Sequence, residues 1–321
     1  MKSVISRLKP LIRWGILGAS LFFLAQVLKT NWDSIAEIRI EATGWACLAI
    51  ALGVTLLAHI CAGWVWSRIL IRDFRQPVHG SWLVLAYLQT NIAKYLPGNI
   101  WHYYGRINAA TKAGSSLESA TVSVLLEPLL MAASALLVGL FSSQSIATQY
   151  GYPIVILQWL ILVAVLMGIH PIVLNPLLQK LAKLKQKGNS SREAHPSKLD
   201  HYPAISLIGN LGFLLLRGSG FLLTFLSISS LNLADLPIVL SAFSFAWLLG
   251  LVVPGAPGGL GIFEVTAIAL LGNLFSPGLI LGVVALYRLV SVAAEALGAG
   301  VAWLDQRQFS KKTMANFPFS K

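Results

Sequence analysis

Apolar runs long enough to cross a bilayer recur along this chain, at residues 11–28, 43–65, 117–141, 153–174, 204–229 and 278–303. A spanning helix needs about 20 such residues, whereas a barrel strand reads as a short alternating segment, so the runs specify helices. Lipid offers a backbone no hydrogen bonds, and a helix satisfies its own N–H and C=O groups within one segment. Composition agrees, since 56% of the 321 residues are apolar and 11% are charged, against roughly 25% charged in an average soluble domain. A soluble enzyme is excluded. The fold class is all-α integral membrane, with residues 1–321 forming a single membrane domain.

Two further apolar stretches are interrupted. Residues 80–96 stop at Pro97-Gly98 and resume over 99–110; residues 236–253 stop at Pro254-Gly255-Ala256-Pro257-Gly258-Gly259-Leu260-Gly261 and resume over 262–271. Proline removes a backbone donor and clashes with the preceding turn, so neither stretch is one straight helix. Basic residues decide how the stretches sit, because cytoplasmic loops collect Lys and Arg. With both stretches re-entrant, the inside segments 1–13, 66–80, 94–118, 176–203 and 304–321 hold 20 of the 24 Lys and Arg. Lys29 and Arg39 then lie outside, and Arg217 and Arg288 fall within the membrane. Turning the first stretch into a crossing moves the basic residues of 176–203 outside, against the same bias.

This arrangement predicts about six full transmembrane helices plus two re-entrant broken hairpins. The run 11–28 follows Lys2, Arg7, Lys9 and Arg13 without a small-residue cleavage site, and reads as a retained first helix with a cytoplasmic N-terminus. Helix, broken hairpin, helix then occurs over 43–141 and again over 204–303, joined by a linking helix at 153–174 and followed by a cytoplasmic tail at 304–321. The charge assignment makes the two units an inverted repeat. Paired Gly/Pro-interrupted segments in corresponding positions of two halves point to a transporter's midplane binding site. The net charge of +12 is spread among short loops, which excludes nucleic acid as a partner. Cys47 and Cys61 share one predicted helix, about 21 Å apart along it, and cannot pair with each other.

Each break leaves a half-helix whose N-terminus, around Asn99 and around Ile262, offers free N–H groups and the positive end of a dipole to an anion. Ionised groups inside a membrane are costly and mark pathways or sites. Here they are Glu127, Arg217, Glu264, Arg288 and Glu295. Arg288, Ser291 and Glu295 share one helical face, as a headgroup site, a gate or a structural ion pair would require. Lys94 and Arg106 flank the first break among aromatics and stand where a lipid phosphate enters from the cytoplasmic leaflet. Gly278 and Gly282 form a GxxxG suited to helix packing. No histidine spacing suits a metal, and H-E-x-x-H, Walker A and G-x-S-x-G are absent from the sequence. No metal, cofactor or enzymatic activity is expected. The candidate headgroup site is Pro97, Gly98, Asn99, Arg106, Glu127, Pro254, Gly258, Gly259, Gly261, Glu264, Arg288 and Glu295.

Taken together, Asn91-Ile-Ala-Lys-Tyr-Leu-Pro97-Gly98 with Arg106, Ser123-Val-Leu-Leu-Glu127, Val253-Pro254-Gly-Ala-Pro-Gly258-Gly259-Leu-Gly261-Ile-Phe-Glu264 and Tyr287-Arg288 resemble the lysylphosphatidylglycerol synthase transmembrane-region family. The resemblance spans roughly residues 40–305 and includes the membrane half of the bacterial multiple peptide resistance factor. It implies a lipid translocase-like module of the bacterial plasma membrane, and the charge assignment makes this multi-pass chain's two termini cytoplasmic. It does not import the synthase activity, whose aminoacyl-transferase domain has no counterpart in these residues. Where the family commonly looks like Glu-Arg, this chain has Glu127-Pro128, so a partner for Glu127 must come from elsewhere.

The leading expectation is therefore an inner-membrane lipid translocase, flippase-like or scramblase-like, for an anionic phospholipid or a polyprenyl-phosphate lipid. The alternative is a non-transporting accessory subunit that anchors a separate glycosyltransferase or lipid-modifying enzyme through its basic loop and Arg307, Lys311 and Lys312. A membrane-embedded transferase finds no acid–base constellation to support it. Membrane lipids are the expected partners, and a second copy of the chain is a further candidate.

Overall fold

The computed structural model describes residue 29 and residues 39–95, 100–186, 198–253, 257–259 and 261–316. The expected first helix at 11–28 lies outside them, as do Pro97, Gly98, Asn99 and Pro254. The described residues form helices and no strand. In order these are α1 (Ala42–Arg68), α2 (Gly80–Asn91), α3 (Trp101–Lys112), α4 (Leu117–Gly139), α5 (Ser143–Tyr150), α6 (Tyr152–Ile169), α7 (Pro171–Gln186), α8 (Ala204–Leu226), α9 (Leu236–Val252), α10 (Ile262–Leu271) and α11 (Pro277–Asn316).

Among the described residues, six segments are long and apolar enough to cross a membrane: Ala42–Asp73, Leu117–Ser142, Tyr152–Ile169, Ala204–Leu226, Leu233–Val252 and Pro277–Asp305. Five coincide with expected crossings. The sixth contains α9, the first limb of the second broken stretch, so that limb is long enough to cross by itself. In contrast, α2 and α3 have 12 residues each and α10 has 10, which gives about 15–18 Å against a hydrocarbon core of about 30 Å. Both interruptions fall where the sequence places them. The first limb tightens from α2 into a 3-10 turn at Ile92–Tyr95 before α3, and the second passes through a 3-10 turn at Pro257–Gly259 before α10.

The linking helix differs from expectation. It ends at Ile169 rather than continuing to residue 174, because Pro171 pushes His170 into extended backbone (φ −63°, ψ 136°). The loop expected from residue 175 begins instead as a helix, α7, and the expected tail at 304–321 continues α11 as far as Asn316. Along α6, Ile156, Leu157, Leu160, Ile161 and Met167 point outward, as suits a peripheral helix among lipid tails.

α1 is central. It packs along α8, α2 and α11, and glycines permit the close approach: Gly220 of α8 lies against Thr55, Gly63 of α1 against Tyr87, and Gly298 of α11 against Leu56 and Leu88. Without a hydrophobic force between helices in lipid, such small-residue contacts and a few polar bonds hold a bundle together. Trp66 Nε1 donates to Ser123 Oγ (3.2 Å), Gln158 Nε2 to the Leu136 carbonyl (3.0 Å) and Ser241 Oγ to the Val138 carbonyl (3.2 Å). Around the second break, Phe221, Phe243, Phe263 and Tyr287 meet with ring centroids 5.2–6.0 Å apart. One aromatic from each of α8, α9, α10 and α11 thus fixes where the half-helix α10 starts.

Candidate functional site

The two breaks meet. A Cβ built on Gly258 would stand 2.9 Å from Tyr95 Cε1, so the ring at the end of the first limb lies on the glycine turn of the second. That turn is itself pressed against α9, with Gly259 and Gly250 too close for side chains. Gly258, Gly259 and Gly261 have φ of +60°, +72° and +84°, conformations that residues with a Cβ adopt at a cost. The glycine richness of this stretch is therefore a backbone requirement as well as a packing one.

Arg288 of α11 holds the second break. Its Nη1 and Nη2 donate to the carbonyls of Gly258 and Gly259, each at 3.2 Å, and its Nε donates to Glu264 Oε1 at 2.5 Å. Glu264 Oε2 in turn accepts from the Gly261 backbone N–H at 2.8 Å, the half of a capping box that a glycine at the N-cap allows. This carboxylate meets one of the N–H groups at the helix start that the sequence offers to an anion, at the half-helix beginning with Ile262.

Glu295, two turns further along α11, holds the first break. Its Oε1 lies 2.5 Å from Lys94 Nζ and 3.3 Å from His59 Nε2. Arg288 and Glu295 share a face of α11 but pair with different hairpins rather than with each other. Beside them, Arg106 Nη1 of α3 donates to Glu127 Oε2 of α4 at 2.6 Å, with the guanidinium 3.6 Å from the Tyr87 ring centroid. Arg106 is the partner from elsewhere that Glu127 requires. Its Nη2 reaches Asn91 Oδ1 (3.3 Å), and Asn91 Nδ2 lies 3.4 Å from His59 Nδ1. A polar chain therefore runs from Glu127 through Arg106, Asn91 and His59 to Glu295 and Lys94, crossing α4, α3, α2, α1 and α11. Arg106, Glu127, Glu264 and Glu295 are all buried, and buried charges are tolerated when paired and hydrogen-bonded.

A cavity of about 170 Å³ opens among these groups. Of the predicted site residues, Arg106, Glu127, Gly258 and Arg288 line it. Glu264 and Glu295 stand behind the wall as counter-charges, and Gly259 and Gly261 shape the turn. The sequence-derived set omitted other polar wall residues, among them His59, Asn91, Lys94 and Arg217. Lys94 and Arg217 carried a signal, a cation in or beside an apolar run. Asn91 stood at the head of the motif before the first break, and His59 carried no signal, because a lone polar residue on a predicted helix does not reveal its neighbour. Among the described residues no group of three or more His, Cys, Asp and Glu could hold a metal ion.

Comparison with protein-family models matches residues 11–298 to the lysylphosphatidylglycerol synthase TM region. No curated protein matches the chain.

Proposed function

The chain belongs to the lysylphosphatidylglycerol synthase TM region family, and from that premise we propose that it is a lipid translocase of the bacterial plasma membrane. It would admit the headgroup of an anionic phospholipid or a polyprenyl-phosphate lipid to the cavity between the two broken hairpins. One observation carries this reading: two interrupted apolar segments meet at a polar cavity lined by Lys94, Arg106, Arg217 and Arg288. Cations at membrane depth are expensive and are kept where a pathway or an anion needs them. In this reading both hairpins are re-entrant, the first from the cytoplasm and the second from outside, and both termini are cytoplasmic. The tails of the lipid stay in the bilayer while its headgroup passes the cavity, as alternating access at an inverted repeat would allow. The chain acts as a membrane module without catalysis of its own.

The test is movement of headgroup-labelled phosphatidylglycerol in proteoliposomes, followed by leaflet-specific quenching, with wild type beside Arg288→Gln. Transfer by wild type that falls to the protein-free rate in a folded Arg288→Gln supports the reading. No transfer for anionic phospholipids or polyprenyl phosphates overturns it in favour of a scaffold for a separate glycosyltransferase or lipid-modifying enzyme. The scaffold reading draws on the basic run Lys180, Lys183, Lys185 and Lys187, the first three of which fall within α7.

A further inference from the structure

The charges around the cavity pair one to one and leave one over. Lys94 is paired with Glu295, Arg106 with Glu127 and Arg288 with Glu264, at 2.5, 2.6 and 2.5 Å. Arg217 has no such partner. It is 7% exposed and lines the cavity, and no Asp or Glu lies within 4.0 Å of it among the described residues. Its Nη1 faces His59 Nε2 at 3.0 Å, its backbone carbonyl is taken by Tyr287 Oη at 2.9 Å, and its Nε has no hydrogen-bond partner. With histidine counted as neutral, the described residues of the site hold four cations and three carboxylates, an excess of one positive charge.

An uncompensated charge buried in low dielectric is strongly unfavourable, and a single negative charge beside it restores neutrality. Resting on the translocase reading, we propose that the site selects a lipid headgroup with one net negative charge, a phosphodiester bearing hydroxyl or sugar substituents, and that Arg217 receives its phosphate. A phosphomonoester or diphosphate brings surplus negative charge into the cavity. A zwitterionic headgroup leaves the excess in place. A lysylated phosphatidylglycerol, with two amines to one phosphate, adds to it. The chain therefore discriminates against the lipid contained in its family's name.

The full chain in detergent micelles is titrated with phosphatidylglycerol, phosphatidic acid, phosphatidylethanolamine and lysylphosphatidylglycerol, each displacing headgroup-labelled phosphatidylglycerol. Phosphatidylglycerol is expected to compete with a midpoint about tenfold below the other three. Arg217→Gln neutralises the site and shifts the preference toward phosphatidylethanolamine, Arg217→Lys keeps the wild-type ranking, and Glu127→Gln shifts it toward phosphatidic acid. Midpoints within about twofold of one another in wild type overturn the proposal, as does an unchanged ranking in a folded Arg217→Gln. The wild-type panel decides alone where a variant does not fold. Measuring movement of the same lipids in proteoliposomes separates the two readings. Selective competition without movement sinks the translocase and keeps the selectivity. Equal movement of all four lipids keeps the translocase and sinks the selectivity.

Discussion

Arg106 and Glu127 form a pair whose two charges are each almost without solvent, and such a pair is more sensitive to losing one partner than to losing both. Removing one side leaves the other charge buried and uncompensated, at about 3–5 kcal/mol. Arg106→Gln and Glu127→Gln are each expected to cost that much in the membrane protein's unfolding free energy. The double variant should cost less than the two together, by an interaction term of about 1–3 kcal/mol. Denaturant unfolding in detergent checks this, and strict additivity would mean that the two side chains act separately. At this scale the sequence named the charged groups within the apolar segments but not whom they meet. The face shared by Arg288, Ser291 and Glu295 followed from helical spacing, yet Glu295 pairs with a lysine 201 positions away. Nothing in local periodicity carries that distance.

The elements were more legible than their contacts, because proline and glycine act on the backbone where they stand. Pro97-Gly98 and the run from Pro254 to Gly261 predicted breaks, and helices stop on either side of both. The same rule applied to His170-Pro171 would have ended the linking helix at Ile169; its uninterrupted hydropathy masked the boundary. The second break also gives a sharp prediction. Gly258→Ala places a side chain at φ +60° and against Tyr95, and Gly259→Ala places one at +72° and against Gly250. The left-handed backbone alone costs about 1–2 kcal/mol per position. Each variant should lower the thermal midpoint and slow lipid movement, whereas Gly300→Ala, with nothing within 4 Å of its Cβ position, should leave both unchanged. Equal midpoints for all three would show that the turn does not need its glycines.

For the whole molecule, charge placement predicts which way the hairpins face. In a background with Cys47 and Cys61 replaced, Ala147→Cys on α5 should react with an impermeant maleimide from outside intact cells. Lys112→Cys, at the end of α3, should react only after permeabilisation. Labelling of Lys112→Cys from outside would make the first hairpin a crossing and remove the inversion between the halves. The Lys and Arg asymmetry of the loops is the basis of this expectation; the paired breaks pointed to one midplane site, while the contact of Tyr95 with Gly258 lay beyond the linear reading.

The reach of α11 to both breaks also sets an order of assembly. A ribosome adds about 5–20 residues per second, so roughly ten to forty seconds separate the making of Lys94 from that of Glu295. Throughout that interval the ammonium lacks its counter-charge, and a lone cation favours the headgroup layer over hydrocarbon. The first hairpin is therefore expected to stay at the membrane surface until α11 is made. A chain arrested before residue 295 thus holds nearly every span and no finished site.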